Sequence, residues 1–420
     1  MKQKLIDLIQ AAAAEAADHQ ERFAAEDTEA RKIVDIMEIF LRTKARVVYG
    51  GAAINAHLPS EKKFYDPTLY LPDYDFMTPD PLQDCADLIT TFQAEGFDDV
   101  EAKFGIHEGT YKIFVNYRSA ADITYMPADI YGRIVSDSDI IGGIHYASAN
   151  FLRMNIYLEL SRPAGDVSRW EKIYKRLLLL NESKPLRPGH CTANPLSQLG
   201  DNSISSVSPI ITTAIEHDAV FLSGASLIHG LLPKSDEPIL LITDKSEKLV
   251  NTLTRKFGLK AVKFDSVGEL LPSRVELNKK GMLVAVVFST VACHAYKTLA
   301  EPSEIAGMRL ASLDLMIQMY YAFYFTDLQH YIAAVRLLCV INALIESETK
   351  ERLAATPTTA SDVFPLDCVG HQPTLAELKR SHRQRVLEKR AELQAAVEFR
   401  TDEPVRRQKK QHYPAPAATH

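Results

Sequence analysis

Three acids stand where divalent cations could be held: Asp73 and Asp75, within Asp73-Tyr74-Asp75, and Asp122, within Ala120-Ala121-Asp122-Ile123-Thr124-Tyr125-Met126. On a strand, residues i and i+2 project to one face with Cα atoms about 6–7 Å apart, so Asp73 and Asp75 could share one hard cation and reach toward a second. Magnesium takes oxygen ligands at about 2.0–2.1 Å and keeps positions open for phosphate and water. Asp122 sits in a mostly apolar, strand-like run. An acid there is costly to bury unless it binds metal or is paired, with a salt bridge to a nearby Arg as the plainer reading. Together the trio suits two cations about 3.5–4 Å apart, one activating an attacking hydroxyl and the other holding a triphosphate and its leaving pyrophosphate. Asp122 would lie beside the attacking hydroxyl. Asp137-Ser138-Asp139 repeats the spacing in a polar, loop-like stretch and reads as solvated.

Anion binding has its own candidates. Arg46-Val47-Val48-Tyr49 predicts a short buried strand, closed by Gly50-Gly51 and followed at once by a helix, Ala52 to His57. Glycines allow a sharp turn, and the free N–H groups of a helix start point at an anion, although such a turn is more often only a turn. Arg153 and Asn155, on a helix predicted from Tyr146 to Leu160, are candidates for triphosphate contacts. Lys172, Lys175 and Arg176 could serve the same anion, with a solvated helix face as the alternative.

The elements that must position these residues follow from periodicity. Residues 1 to about 43 read as helix, with Ile33, Ile36, Met37 and Phe40 at helical spacing. Strand signals cover Asp75-Phe76-Met77, Tyr111 to Tyr117 and Asp122 to Met126, and a further helix is predicted over Leu82 to Glu95. From Asn181 to Ser208 the chain is rich in Pro, Ser, Asn and Gly, a linker composition. The resulting division is a helical segment over 1–44, a first α/β (α+β) domain over 45–190, a second over 209–350 and a basic helical or disordered tail over 371–420.

Composition narrows the class. With 420 residues, 46% apolar, and a net charge of −6, the chain can bury more than one core and is not a general nucleic-acid coat. Lys379 to Lys410 is locally basic and could grip RNA phosphates or keep a charged tail in solution. The five cysteines are scattered, without C-x-x-C pairing, so neither a disulfide framework nor a zinc site is expected, and a reducing compartment is. Asp7 and Gln10 interrupt the apolar stretch at Met1 to Ala14, unlike a signal peptide, and the run Met282 to Cys293 is too short to span a bilayer. Tyr320 to Phe325 could stack bases, but its spacing favours core.

An internal repeat then separates scaffold from chemistry. The stretch Val47 to Pro59 is echoed by Val220 to Pro233, and Gly143 to Ser148 matches Gly307 to Ser312 without a gap. Phe76-Met77-Thr78 falls opposite Leu241-Ile242-Thr243. In this alignment Asp73 and Asp75 face Pro238 and Leu240, Asp122 falls near Leu283 to Val287, and Arg153 and Asn155 face Ile317 and Met319. With the prolines superposed, Gly224 stands opposite Gly50. Scaffold positions occur twice and the acids once, so the second copy is expected to be a degenerate version of the first.

Tyr49-Gly50-Gly51-Ala52-Ala53-Ile54-Asn55, Leu58-Pro59, Phe64-Tyr65-Asp66, Pro72-Asp73-Tyr74-Asp75-Phe76, Gly109-Thr110-Tyr111-Lys112 and Ala121-Asp122-Ile123 resemble the poly(A) polymerase catalytic subunit of large cytoplasmic DNA viruses, poxvirus-like and within the polymerase-β nucleotidyltransferase superfamily. The resemblance covers about residues 45–160. It implies tandem nucleotidyltransferase-like domains, the second degenerate, and template-independent transfer of AMP from ATP to an RNA 3′ end with two Mg²⁺ or Mn²⁺ ions. Asp73, Asp75 and Asp122 would be the metal ligands, and Gly50 and Gly51 the phosphate turn. Gly51 and Ala52 bring no hydroxyl, unlike many relatives in the superfamily, so phosphate would rest on backbone N–H groups. The family implies a host-cytoplasm or virion location and no membrane. Some members use a processivity partner and others form homodimers; a homodimer is the expectation here. The alternatives are a nucleotidyltransferase with another base or acceptor (CCA-adding, uridylyl-adding or protein-modifying) and an inactive RNA-binding scaffold subunit.

Overall fold

The chain opens with two helices, α1 (Lys2–Glu26) and α2 (Thr28–Lys44), rather than one continuous helix. The break is at Asp27, which is extended (φ −69°, ψ 117°) and whose carboxylate accepts from the Glu29 and Ala30 N–H groups as an N-cap. Ile33, Ile36, Met37, Phe40 and Leu41 then bury one stripe of α2. The computed structural model describes residues 2–65, 71–186, 209–223, 238–299, 307–328, 331, 334–354 and 363–401. Most of the linker read at 181–208 lies outside these, as do Asp66, Gly224 and the basic run 406–410. Residues 1–373 form one compact unit, and residues from Thr374 onward a second, whose described part is the helix Leu375–Thr401.

The first α/β layer comprises β1 (Val47–Tyr49), α3 (Gly50–His57), β2 (Tyr74–Thr78), α4 (Pro81–Ala94), β3 (Val100–Phe104), β4 (Thr110–Val115), β5 (Arg118–Tyr125), α5 (Ala128–Asp137), β6 (Asp139–Ile141), β7 (Ile144–Tyr146), α6 (Ala149–Leu160) and α7 (Trp170–Ser183). Its sheet runs β3-β4-β5-β2-β1-β7-β6. The β5–β2 and β1–β7 pairs are parallel and the others antiparallel. The helix predicted from Tyr146 begins only at Ala149, because residues 144–146 continue the sheet and Ser148 caps the helix.

The second layer comprises α8 (Pro209–Glu216), β8 (Val220–Phe221), β9 (Ile239–Thr243), α9 (Ser246–Phe257), β10 (Lys260–Phe264), β11 (Arg274–Lys279), β12 (Met282–Ser289), β13 (His294–Thr298), β14 (Arg309–Ala311), α10 (Leu313–Phe325), α11 (Ala334–Ala354) and β15 (Cys368–Val369), and α12 is the helix from Leu375. Its sheet runs β10-β11-β12-β9-β8-β14-β13, with β15 added at the β13 edge. Strand for strand this is the order and direction of the first sheet.

Small devices coincide as well. Both sheets carry a β-bulge at the matching point, between Ile113 and Phe114 and between Leu277 and Asn278. The hairpins that follow turn on adjacent positive-φ residues, Asn116-Tyr117 and Lys280-Gly281. The buried hydroxyls of Thr78 and Thr243 accept from the N–H two residues on, in Asp80 and Lys245. Ser148 and Ser312 cap α6 and α10 through the N–H three residues on. These equivalent helices pack on each other: Phe151 meets Phe325 edge-on at 5.2 Å between ring centroids, and the Tyr321 hydroxyl donates to Asn150. In Tyr320 to Phe325, every ring but the half-buried Tyr324 is buried, so this run is core.

The cysteine reading is corrected by topology. Cys293 and Cys368 form a disulfide with Cα atoms 5.3 Å apart, because β15 returns 75 residues later to pair with β13. Spacing in the chain carries no trace of that pairing. Among the described residues no helix is long and apolar enough to cross a membrane.

Candidate active site

Cross-strand register builds the site. Tyr49 stands opposite Asp75, Asp75 opposite Asp122, Asp122 opposite Lys112 and Lys112 opposite Lys103. Directly opposed residues share a face with Cβ atoms about 4.5–5.5 Å apart, so β1, β2, β5, β4 and β3 present one transverse row of polar groups. Asp73 is not on the strand as the spacing suggested; it immediately precedes β2.

The row is electrostatically strained. Burial, reinforced by Asp73 and Asp122, pushes the Asp75 carboxyl up to about 7. Burial and Asp122 likewise raise Asp73, and in both cases Lys112 opposes the rise. One oxygen of Asp122, Oδ2, is paired with the Lys112 ammonium; the other, Oδ1, is buried without a hydrogen-bond partner. Among the described residues, no three carboxylate, imidazole or thiol groups gather closely enough to enclose a metal as they stand. Register nevertheless puts Asp75 directly opposite Asp122, with Asp73 two residues before Asp75 and Asp122 turned to Lys112. A buried unpartnered carboxylate oxygen beside two acids that resist ionisation is a donor set that fits hard cations.

Gly50 explains how the turn approaches the acids. It has φ +68°, and a Cβ there would lie 2.5 Å from Asp75 Oδ2. Only glycine lets the backbone pass so close to that carboxylate. The helix α3 begins at Gly50 without a side-chain cap, since Tyr49 directs its hydroxyl to Thr124 instead. Its first N–H groups have no intrahelical partner. A Cβ at Gly51 would lie 3.0 Å from Arg176 Nη1.

That guanidinium is held by residues of the same motif. Asn55 accepts from the Phe64 and Tyr65 N–H groups and donates to the Tyr65 carbonyl, pinning this segment to α3. Arg176 lies over the Phe64 ring at 4.5 Å and donates to the Tyr65 hydroxyl at 2.7 Å. By sequence, Arg176 goes with Lys172 and Lys175 as candidates for the same anion. In the structure, Lys175 pairs with Glu171 in solvent and Lys172 is exposed, while Arg176 reaches the glycine turn. The aromatic pair Phe64-Tyr65 was the available signal.

The other sequence candidates fall elsewhere. Arg153 is buried, and its nitrogens donate to Asn181 Oδ1, Asn150 Oδ1 and the Lys184 carbonyl. Asn155 is half-buried on α6. Asp137 and Asp139 are not a solvated loop: Asp137 ends α5 with Oδ2 buried, and Asp139 starts β6, pairs with Lys184 and faces His57. Their polar context misled because α5 and β6 meet there, which periodicity over so few residues does not reveal.

In the second sheet the row is Leu222, Leu240, Val286, Glu276 and Val262. Strand register, with Leu240 at the Asp75 position, puts Ser223 rather than Gly224 at the Gly50 position. The Ser223 hydroxyl accepts from the Leu240 N–H at 2.8 Å, a bond that a serine can make there because no carboxylate stands opposite.

Comparison with known proteins places this arrangement. Residues 35–166 match the family model of the poly(A) polymerase catalytic subunit. A protein of Acanthamoeba polyphaga mimivirus, assigned as a poly(A) polymerase catalytic subunit, is 33% identical over 192 residues, covering 44% of this chain and 32% of the relative. One from African swine fever virus, with the same assignment, is 24% identical over 159 residues, 36% of this chain and 33% of the relative. The matched stretch thus spans about a third of these relatives' length. The crystal structure of the Megavirus polyadenylate synthase shares the fold, with a TM-score of 0.73 at 21% identity over 92% of this chain and 83% of that one. The acids and the glycine turn lie within 35–166, the region that is similar to the poly(A) polymerase catalytic subunits of large DNA viruses.

Proposed function

We propose that the protein transfers AMP from ATP to the 3′-hydroxyl of RNA without a template, releasing pyrophosphate. The observation that carries this reading is the register of Asp75 against Asp122 beside a glycine turn that only a glycine can make. Asp73, Asp75 and Asp122 would hold two Mg²⁺ or Mn²⁺ ions, which when bound lower the pKa of the attacking hydroxyl and neutralise charge on the phosphates. Asp122, on β5, would orient the RNA 3′-hydroxyl and accept its proton. Gly50 and Gly51 bring backbone N–H groups to the triphosphate, and Arg176 adds a fixed positive charge above them. Arg153, committed to internal acceptors, acts by holding α6 against α7, and the exposed Lys172 is left as an outer contact.

The second sheet, in this reading, is a degenerate nucleotidyltransferase layer whose role is to bury apolar surface against α6 and to wall the RNA path. Homodimer formation remains part of the proposal and is checked by light scattering at micromolar concentration.

Incubation with a short RNA primer, Mg²⁺ or Mn²⁺ and each nucleoside triphosphate separately tests the activity. A ladder with ATP alone is the expected result. Extension with CTP or UTP would reassign the base, and no extension with any triphosphate would overturn the reading in favour of an inactive scaffold.

A further inference from the structure

Lys112 belongs to the acid row by register yet carries the opposite charge. Its Cα stands opposite that of Asp122, and its ammonium pairs with Asp122 Oδ2. It opposes the mutual repulsion felt at both Asp73 and Asp75, at the latter together with Arg169. The remaining oxygen of Asp122 is buried and unpartnered, so this carboxylate is only half satisfied by the lysine. We propose that Lys112 is a built-in stand-in for the metal: its ammonium holds Asp122 in the metal-free protein, and cation binding requires Asp122 to exchange Lys112 for the ion.

The second sheet supports the pairing of these two features. Where the acids are absent the lysine is absent too: the position of Lys112 is taken by Glu276, which accepts from the Tyr331 hydroxyl, itself bonded by Arg274. A lysine serving only the sheet would have no reason to vanish with the acids. The physical reason for the device is that Asp75 and Asp122, both half-buried, and the neighbouring Asp73 repel one another without a counter-charge, and an ammonium tethered on the neighbouring strand supplies one without closing the site. The lysine is flexible and 39% exposed at its side chain, so it can leave.

This inference rests on the metal-site reading above, and its tests separate the two. In the wild-type protein, amine labelling with an acetylating reagent, read by mass spectrometry, should modify Lys112 more strongly once Mn²⁺ is added. Lys103, which pairs with Glu101, is the internal control and should not change. Calorimetric titration of the metal-free protein with Mn²⁺ should show binding tightened roughly threefold to tenfold in Lys112→Met, and within about twofold of wild type in Lys112→Arg. Unchanged Lys112 labelling, or a Lys112→Met variant that binds Mn²⁺ equally or more weakly, would overturn the exchange while leaving the metal site standing. Wild-type protein showing no Mn²⁺ binding that Asp75→Asn removes would overturn both, and would identify the metal reading as the part that failed.

Discussion

The two sheets are built from one plan and differ where chemistry would occur. They share strand order, the bulge after Ile113 and Leu277, the positive-φ glycines Gly143 and Gly307, and the serine caps of α6 and α10. In the first sheet the transverse row is Tyr49, Asp75, Asp122, Lys112 and Lys103; in the second it is Leu222, Leu240, Val286, Glu276 and Val262. Apolar residues at the Asp75 and Asp122 positions fill the second row, and they are buried. The lesson is that the scaffold tolerates either filling, and that the polar filling has no use to the fold. Leaving Asp75 and Asp122 partly buried raises the free energy of the metal-free protein, whereas Leu240 and Val286 lower it.

The comparison breaks most sharply at the acids. Asp75→Ala or Asp122→Ala should reduce AMP transfer by at least about 10³-fold with the fold retained, checked by primer extension and circular dichroism. Asp137→Ala should keep its activity, and a dead Asp137→Ala with a live Asp75→Ala would invert the assignment.

Placing an acid in the other sheet should do the reverse. Leu240→Asp puts an unpaired carboxylate between the buried Leu222 and Val286, creates no activity and should cost about 2–5 kcal/mol of stability, read from urea unfolding. A neutral result would mean that the second row is wet.

The turn offers a finer cut. Gly50→Ala sets a Cβ against Asp75 Oδ2 at a positive φ, so it should lose about 1–3 kcal/mol and most of the activity. Ser223→Gly, at the equivalent position, should leave transfer unaffected.

Acidity separates the halves next. Asp75 has its carboxyl raised from 3.8 to about 7, so between those values the folded, metal-free protein binds more protons than the unfolded chain. Its stability should therefore fall as pH rises from about 4 to about 7, as followed by thermal unfolding in EDTA. Saturating Mn²⁺ replaces the proton and should flatten that slope. A slope unaffected by the ion would place the responsible group outside the trio.

The smallest effect tests what the halves share. Ser148→Ala and Ser312→Ala each remove one N-cap bond and should each cost about 1 kcal/mol, measured by chemical unfolding. A large difference between them would show that one cap has acquired a further task.

Residue types and local spacing were enough to find the acid trio, the glycine turn, the repeat and the buried character of Tyr320 to Phe325, because each rests on contacts within a few residues or on a pattern present twice. The repeat matters most, since it marks Asp73, Asp75 and Asp122 as dispensable to the scaffold from the sequence alone. What tertiary structure decided is everything carried by strand register and by returning chain. Register put Lys112 against Asp122, set Ser223 rather than Gly224 at the Gly50 position, and brought Gly50 onto Asp75. Folding back from later in the chain brought Arg176 to Gly51, drew Asn181 and the Lys184 carbonyl around Arg153, and joined Cys293 to Cys368. Long-range pairing has no period in the sequence. It is selected by which apolar faces can be buried together, so the polar contacts it creates become visible only once the sheet is assembled.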